Sequence, residues 1–158
     1  MSYLIRIGET FPQTQGEDMW LDVKDELHLE APKFPGDDTT GQTNERSPSY
    51  LGWSQFCEKA GLVELFHDKT NGLMRQHPGC FPLTQKHLLA VKDALKKWKA
   101  KHPGTTPGWC ECKECRPYMR ESKTPHVEMD YTLARLLWLE YWISWALETC
   151  KSPAVFNC

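Results

Sequence analysis

The residues closest to recognisable chemistry are three cysteines. The stretch Trp109-Cys110-Glu111-Cys112-Lys113-Glu114-Cys115 carries a C-x-C-x2-C spacing between Pro107-Gly108 and Pro117. Thiolates this close in sequence supply two or three corners of a zinc tetrahedron, whose bonds to sulfur and nitrogen run about 2.0–2.3 Å. The second C-x2-C pair of a regular zinc knuckle is missing, so a fourth ligand must come from elsewhere. Cys80, His77, His102 and His126 all lie near loops or helix ends and are the candidates. The competing reading is three solvent-facing or half-buried thiols beside Lys113 and Arg116. Any bound metal is expected in a closed structural site, because no Glu-plus-His catalytic signature accompanies the cysteines.

His77 and Cys80 offer a base and a thiol three residues apart, with a helix expected to open at Thr84. A thiolate needs an imidazolium or a helix N-terminus beside it to act as a nucleophile. The plainer reading is a rigid turn whose Cys80 and Phe81 plug the core. The tryptophans pose a similar choice. Trp138 and Trp142 at helical spacing, with Trp53 and Trp98 on other helices, are candidates to wall a pocket for a flat ligand. Arg46, Arg75 and Arg135 are the candidate partners of its anionic group. The alternative is that large aromatics simply fill a core. The lysines from Lys86 to Lys101 read as a solvated helix face without interleaved aromatics, which is a weak nucleic-acid signal. Asp37-Asp38 lacks the spaced carboxylates of a calcium loop, and the chain has no phosphate-binding glycine loop, nucleophile elbow or metalloprotease helix.

The elements that must position these residues follow from periodicity. Tyr3, Ile5 and Ile7 alternate with Leu4 and Arg6 as a short strand. Met19, Leu21 and Val23, then Leu27, Leu29 and Ala31, suggest a hairpin, with a short helix over 18–29 as the competitor. Residues 32–48 read as a long exposed loop. Ser47-Pro48 and Gly61 bracket a helix whose Trp53, Phe56, Cys57 and Ala60 form one stripe. A turn with positive φ at Asn71-Gly72 follows, and then an irregular stretch over 77–82, because two prolines and a glycine disfavour a ladder. Thr84 caps a helix lined by Leu88, Val91, Leu95 and Trp98 that ends before His102-Pro103-Gly104, and a loop over 102–124 carries the cysteines. The last helix is predicted over 125–150. It is apolar on two sides, with Thr132, Glu140, Ser144 and Glu148 on a polar arc, so it belongs between other elements. The reading is a single α+β domain over 1–158, three or four helices around a Trp-rich C-terminal helix, with an N-terminal hairpin or small sheet.

Composition narrows the class. The chain has 158 residues, 40% apolar and 25% charged, which excludes wholesale disorder and coiled coil. Its net charge of −2 argues against a domain-wide polyanion binder. The start, MSYLIRIGET, lacks a signal-peptide pattern and no segment is apolar enough to cross a bilayer. Seven cysteines without an export signal are read as thiols or metal ligands, and a soluble cytoplasmic protein is expected. In texture, residues 56–84 and the Trp-rich last helix resemble small uncharacterised bacteriophage proteins, which implies a compact accessory or interaction protein without a known active site. The expected function is capture of a small anionic, aromatic (nucleotide-like) ligand or of a protein partner. The alternatives are an enzyme or metal-dependent protein using His77/Cys80 or a Cys110/Cys112/Cys115 zinc site, and a structural or assembly subunit that forms homo-oligomers.

Overall fold

The computed structural model describes residues 1–13, 19–24, 31, 33 and 43–158. Its sheet is built around strand β1 (Ile5–Pro12), whose Ile5 and Ile7 are fully buried. Strand β2 (Leu21–Val23) pairs antiparallel with the far end of β1, and the short β3 (Glu45–Arg46) pairs with its start. Strand β4 (Gly79–Pro82) and the C-terminal β5 (Pro153–Asn157) complete the antiparallel order β2-β1-β5-β4. The pleat divides the side chains. Ile7, Phe81 and Val155 stand in register on the face that meets the helices, while Cys80 and Phe156 join Val23 and Ala154 in a smaller cluster on the other face.

Helix α1 (Tyr50–Ala60) begins where the Ser49 hydroxyl accepts from the Gly52 amide at 3.0 Å, and it ends at Gly61 with φ +69°. The cap is therefore Ser49, not Ser47. Trp53, Phe56 and Cys57 form its buried stripe. A short α2 (Val63–His67) follows. Helix α3 (Gln85–Lys101) buries Leu88, Val91, Ala94 and Leu95 and turns Lys92, Lys96 and Lys99 to solvent. Helix α4 (Tyr131–Thr149) packs against α3 on one side and against β1 and α1 on others, which accounts for its all-round apolarity. The result is the expected α+β fold, with four helices among the described residues and a curled antiparallel sheet. Among the described residues, no helix is long and apolar enough to cross a membrane.

Several local expectations are corrected. The last helix starts at Tyr131 rather than at 125, because the Asp130 carboxylate caps it by accepting from the Leu133 amide at 2.8 Å. Thr132, expected on the polar arc, is buried. The stretch expected to be irregular contains β4. As the outermost strand it tolerates Pro82 at its end, since an edge position needs no partner for the missing N–H. Gly72 does not take a positive φ. The turn is held instead by the Asp68 carboxylate, which accepts from the Thr70 and Asn71 amides, and Gly72 is needed for close approach. A Cβ there would lie 2.5 Å from the Asp68 carbonyl oxygen and 2.6 Å from that of Phe66. Residues 21–23 pair with β1, and the expected partner strand over 27–31 lies outside the described residues apart from the buried Ala31. Most of the 32–48 loop, including Asp37-Asp38, also lies outside them.

Candidate metal centre

The chain between α3 and α4 is pinned at its base by Asp130. One carboxylate oxygen accepts from the Trp98 indole N–H at 2.8 Å and from the Thr105 hydroxyl at 2.7 Å. The Asp130 amide donates to the Thr106 carbonyl at 2.7 Å, and its carbonyl accepts from Gly108 at 3.2 Å. The outgoing and returning arms of the loop are thus tied side by side. Within the loop, the amides of Cys115 and Arg116 turn back onto the Cys112 carbonyl, and the Ser122 hydroxyl donates to the Glu111 carbonyl.

This closure brings His126 to the three cysteines. Its Nδ1 lies 3.8 Å from Cys110 Sγ, 3.5 Å from Cys112 Sγ and 3.6 Å from Cys115 Sγ. All four donor atoms fall within 4.8 Å of one another. Tetrahedral zinc, with bonds of about 2.3 Å to sulfur and about 2.05 Å to nitrogen, separates a sulfur from the nitrogen by about 3.6 Å. The donor set could hold a metal such as zinc, and its three S–N separations are near that value. Cys112 is buried and Cys110 half-buried, while Cys115 and His126 are exposed. The backbone N–H groups of Val127 and Cys112 point at Cys110 and hold its thiol down to about 7. At Cys112 the Cys115 N–H pulls in the same direction, but burial and the neighbouring thiols and Glu114 outweigh it and push the thiol up to about 11. Metal coordination would deprotonate all three.

The other candidates lie elsewhere. His77 bridges two elements. Asn157 donates its amide N–H groups to the carbonyls of Gln76 and Gly79, so its oxygen accepts from His77 Nδ1 at 2.8 Å. That leaves His77 Nε2 to accept the Tyr50 hydroxyl at 2.8 Å. Cys80 sits on the opposite face of the sheet beside Phe156, and burial pushes its thiol up to about 11. His102 stacks on Trp98, with ring centroids 4.0 Å apart.

The aromatic and cationic candidates are not gathered at one place. Trp53, Trp138 and Trp142 are fully or almost fully buried in the main core. The Arg46 guanidinium covers Trp138 at 4.9 Å and donates to the carbonyls of Thr43 and Glu45. Arg75 covers Phe81 at 3.8 Å on the surface. Arg135 lies between α1 and α4 and donates to the Gly52 carbonyl at 2.7 Å. Of these, only Trp98 lines a cleft of about 620 Å³, which it shares with Lys59, His102, Thr105, Asp130 and Tyr131. Sequence reasoning missed three of these residues. Asp130 carried a signal, an Asp directly before an apolar run. Lys59 and Tyr131 carried none, because they meet across 72 residues of chain. No protein-family model, curated protein or solved structure matches this chain.

Proposed function

We propose that the protein is a small non-enzymatic binding protein whose α3–α4 junction is organised by one structural zinc ion on Cys110, Cys112, Cys115 and His126. The observation that carries this reading is the set of three Sγ–Nδ1 separations of 3.5–3.8 Å, delivered by a loop whose ends are tied at Asp130. Four protein ligands fill a tetrahedral zinc and leave no position for water or substrate, so the ion's task is to order the loop.

Native mass spectrometry and metal analysis of reduced protein, purified without chelator, test the proposal. One zinc per chain is expected, lost in Cys112→Ser. Cobalt substitution should give the visible bands of a tetrahedral sulfur-rich site. A bare mass for the wild-type chain in zinc-containing buffer would refute it.

A further inference from the structure

At the start of α4, α1 and α4 meet along a seam where two cations lie near one phenol. Lys59 donates to the Tyr131 hydroxyl, and its Nζ lies 4.8 Å from the ring centroid. Arg135, one helical turn further along α4, has its guanidinium carbon 5.9 Å from the same centroid and 5.6 Å from that of Phe56. Among the described residues, neither cation has a carboxylate within ion-pair distance; the pairs formed are those of Arg6 with Asp22 and Glu45, and of Lys97 with Asp93.

Arg135 is the more telling of the two. A desolvated guanidinium without a counter-charge is unfavourable, and burial lowers its pKa from the ordinary value. Its one protein hydrogen bond is to the Gly52 carbonyl. Its other nitrogens are not sealed off, since the orphaned buried polar atoms of the described residues belong to Trp53, His67 and Trp142. Donors that are largely desolvated and unpaired are suited to an anion, and guanidinium matches phosphate in geometry.

Tyr131 and Lys59 also line the neighbouring cleft, together with Trp98, Thr105 and two acids, Glu128 and Asp130, the latter already bonded to Trp98, Thr105 and Leu133; Arg135 is not among the lining residues but neighbours the Tyr131 ring. At about 620 Å³ it is the size of a small-molecule site, with aromatic walls and a few polar groups. We propose that this seam and cleft form one binding site for a phosphorylated, ring-bearing small molecule of the nucleotide class. Lys59 and Arg135 flank its phosphate, and the Trp98–Tyr131 cleft takes its ring. The proposal rests on the binding-protein reading above but not on the metal.

Calorimetric titration of the zinc-loaded full chain with adenosine 5′-monophosphate, adenosine, ribose 5-phosphate and inorganic phosphate tests it. The monophosphate is expected to bind about tenfold or more tighter than adenosine, through charge-assisted hydrogen bonds. It should also exceed ribose 5-phosphate by about tenfold, through aromatic contact. Lys59→Met, at an exposed position that leaves folding intact, should remove about tenfold from the monophosphate and nothing from adenosine. Arg135→Met should do the same, with Arg135→Lys retaining part of the affinity as the conservative control. A monophosphate that binds no better than adenosine or ribose 5-phosphate overturns the proposal, as does unchanged affinity in Lys59→Met. Absence of all binding by a chain carrying one zinc overturns it while the zinc reading stands. Monophosphate binding by a chain that takes up no zinc supports it while the zinc reading falls.

Discussion

Removing the metal is expected to release the loop between α3 and α4 while the rest of the domain stays folded. Cys110 and His126 are 16 residues apart, so the metal closes a loop of that size. Tying the ends of a loop of about 15 residues is worth about 3 kcal/mol of chain entropy in the cross-link model. At about 1.4 kcal/mol per factor of ten, that corresponds to roughly a hundredfold in the local opening equilibrium. Little else opposes opening, because Cys112 is the one fully buried side chain between residues 109 and 126. Amide hydrogen exchange before and after chelation reads this directly. The amides of Cys115 and Arg116, bonded to the Cys112 carbonyl, and of Val127, bonded to Cys110 Sγ, should exchange about a hundredfold faster in the metal-free protein. Core amides of α4, such as that of Ile143, should keep their protection, since Leu136, Leu139 and Trp142 pack outside the loop. The reasoning is refuted if α4 loses protection in step with the loop, which would make the metal part of the global core. It is refuted equally if chelation leaves Arg116 unchanged.

Three further perturbations follow from single contacts. Asp130→Ala removes the α4 cap and strands the Trp98 indole N–H, so a loss of about 2–4 kcal/mol is expected in urea unfolding, whereas Asp130→Asn should keep the cap and lose less. The Thr84 amide donates to His87 Nδ1 at 3.0 Å, and burial, aided by the Lys86 charge, lowers the His87 pKa. The unfolded chain therefore takes up the proton first as pH falls below about 6.5, and stability is lost from there downward. His87→Gln keeps an acceptor without titrating and should make the pH dependence of chelated protein shallower as pH falls below about 6.5. Gly72→Ala should cost about 1–3 kcal/mol, because the added Cβ meets the carbonyl oxygens of Asp68 and Phe66. Gly61→Ala, with open space but φ +69°, should cost only about 1 kcal/mol in the same melts.

What the sequence disclosed was whatever is encoded within a few turns of chain. The stripe of Trp53, Phe56 and Cys57 and the Gly61 stop are local patterns, and so are Thr84 and the apolar face that follows it. Strand β5 was not legible. Five residues after a helix become a strand only because β1 and β4 present edges on either side, with Val155 opposite both Ile7 and Phe81. Likewise Cys110, Cys112 and Cys115 announced themselves by spacing, but His126 could not be separated from three other candidates. Its selection depends on the loop returning to its own base, which is fixed by the bonds of Asp130. Trp138 and Trp142, candidates for a pocket wall, follow the alternative reading and fill the core. The cation pair around Tyr131 was not legible, since α1 supplies Lys59 and α4 the rest.

The two candidate sites share a structural dependence on Asp130. Between Lys101 and Tyr131 the chain has neither helix nor strand, and its only ladder contact is the single bridge of Pro107 with Asp130. Most of its residues are exposed, so apolar burial cannot hold it in place. What fixes it is polar at the base and thiolate at the tip. Asp130 fixes the base, and the same carboxylate oxygen that receives Thr105 receives the Trp98 indole, so the tie that aligns the loop also orients a wall of the cleft. A metal at the tip would reduce the freedom of the segment that Asp130 must hold, without touching the cleft. Ligand affinity should then depend on the metal through the order of residues 104–106, which line the cleft, and not through any metal–ligand bond.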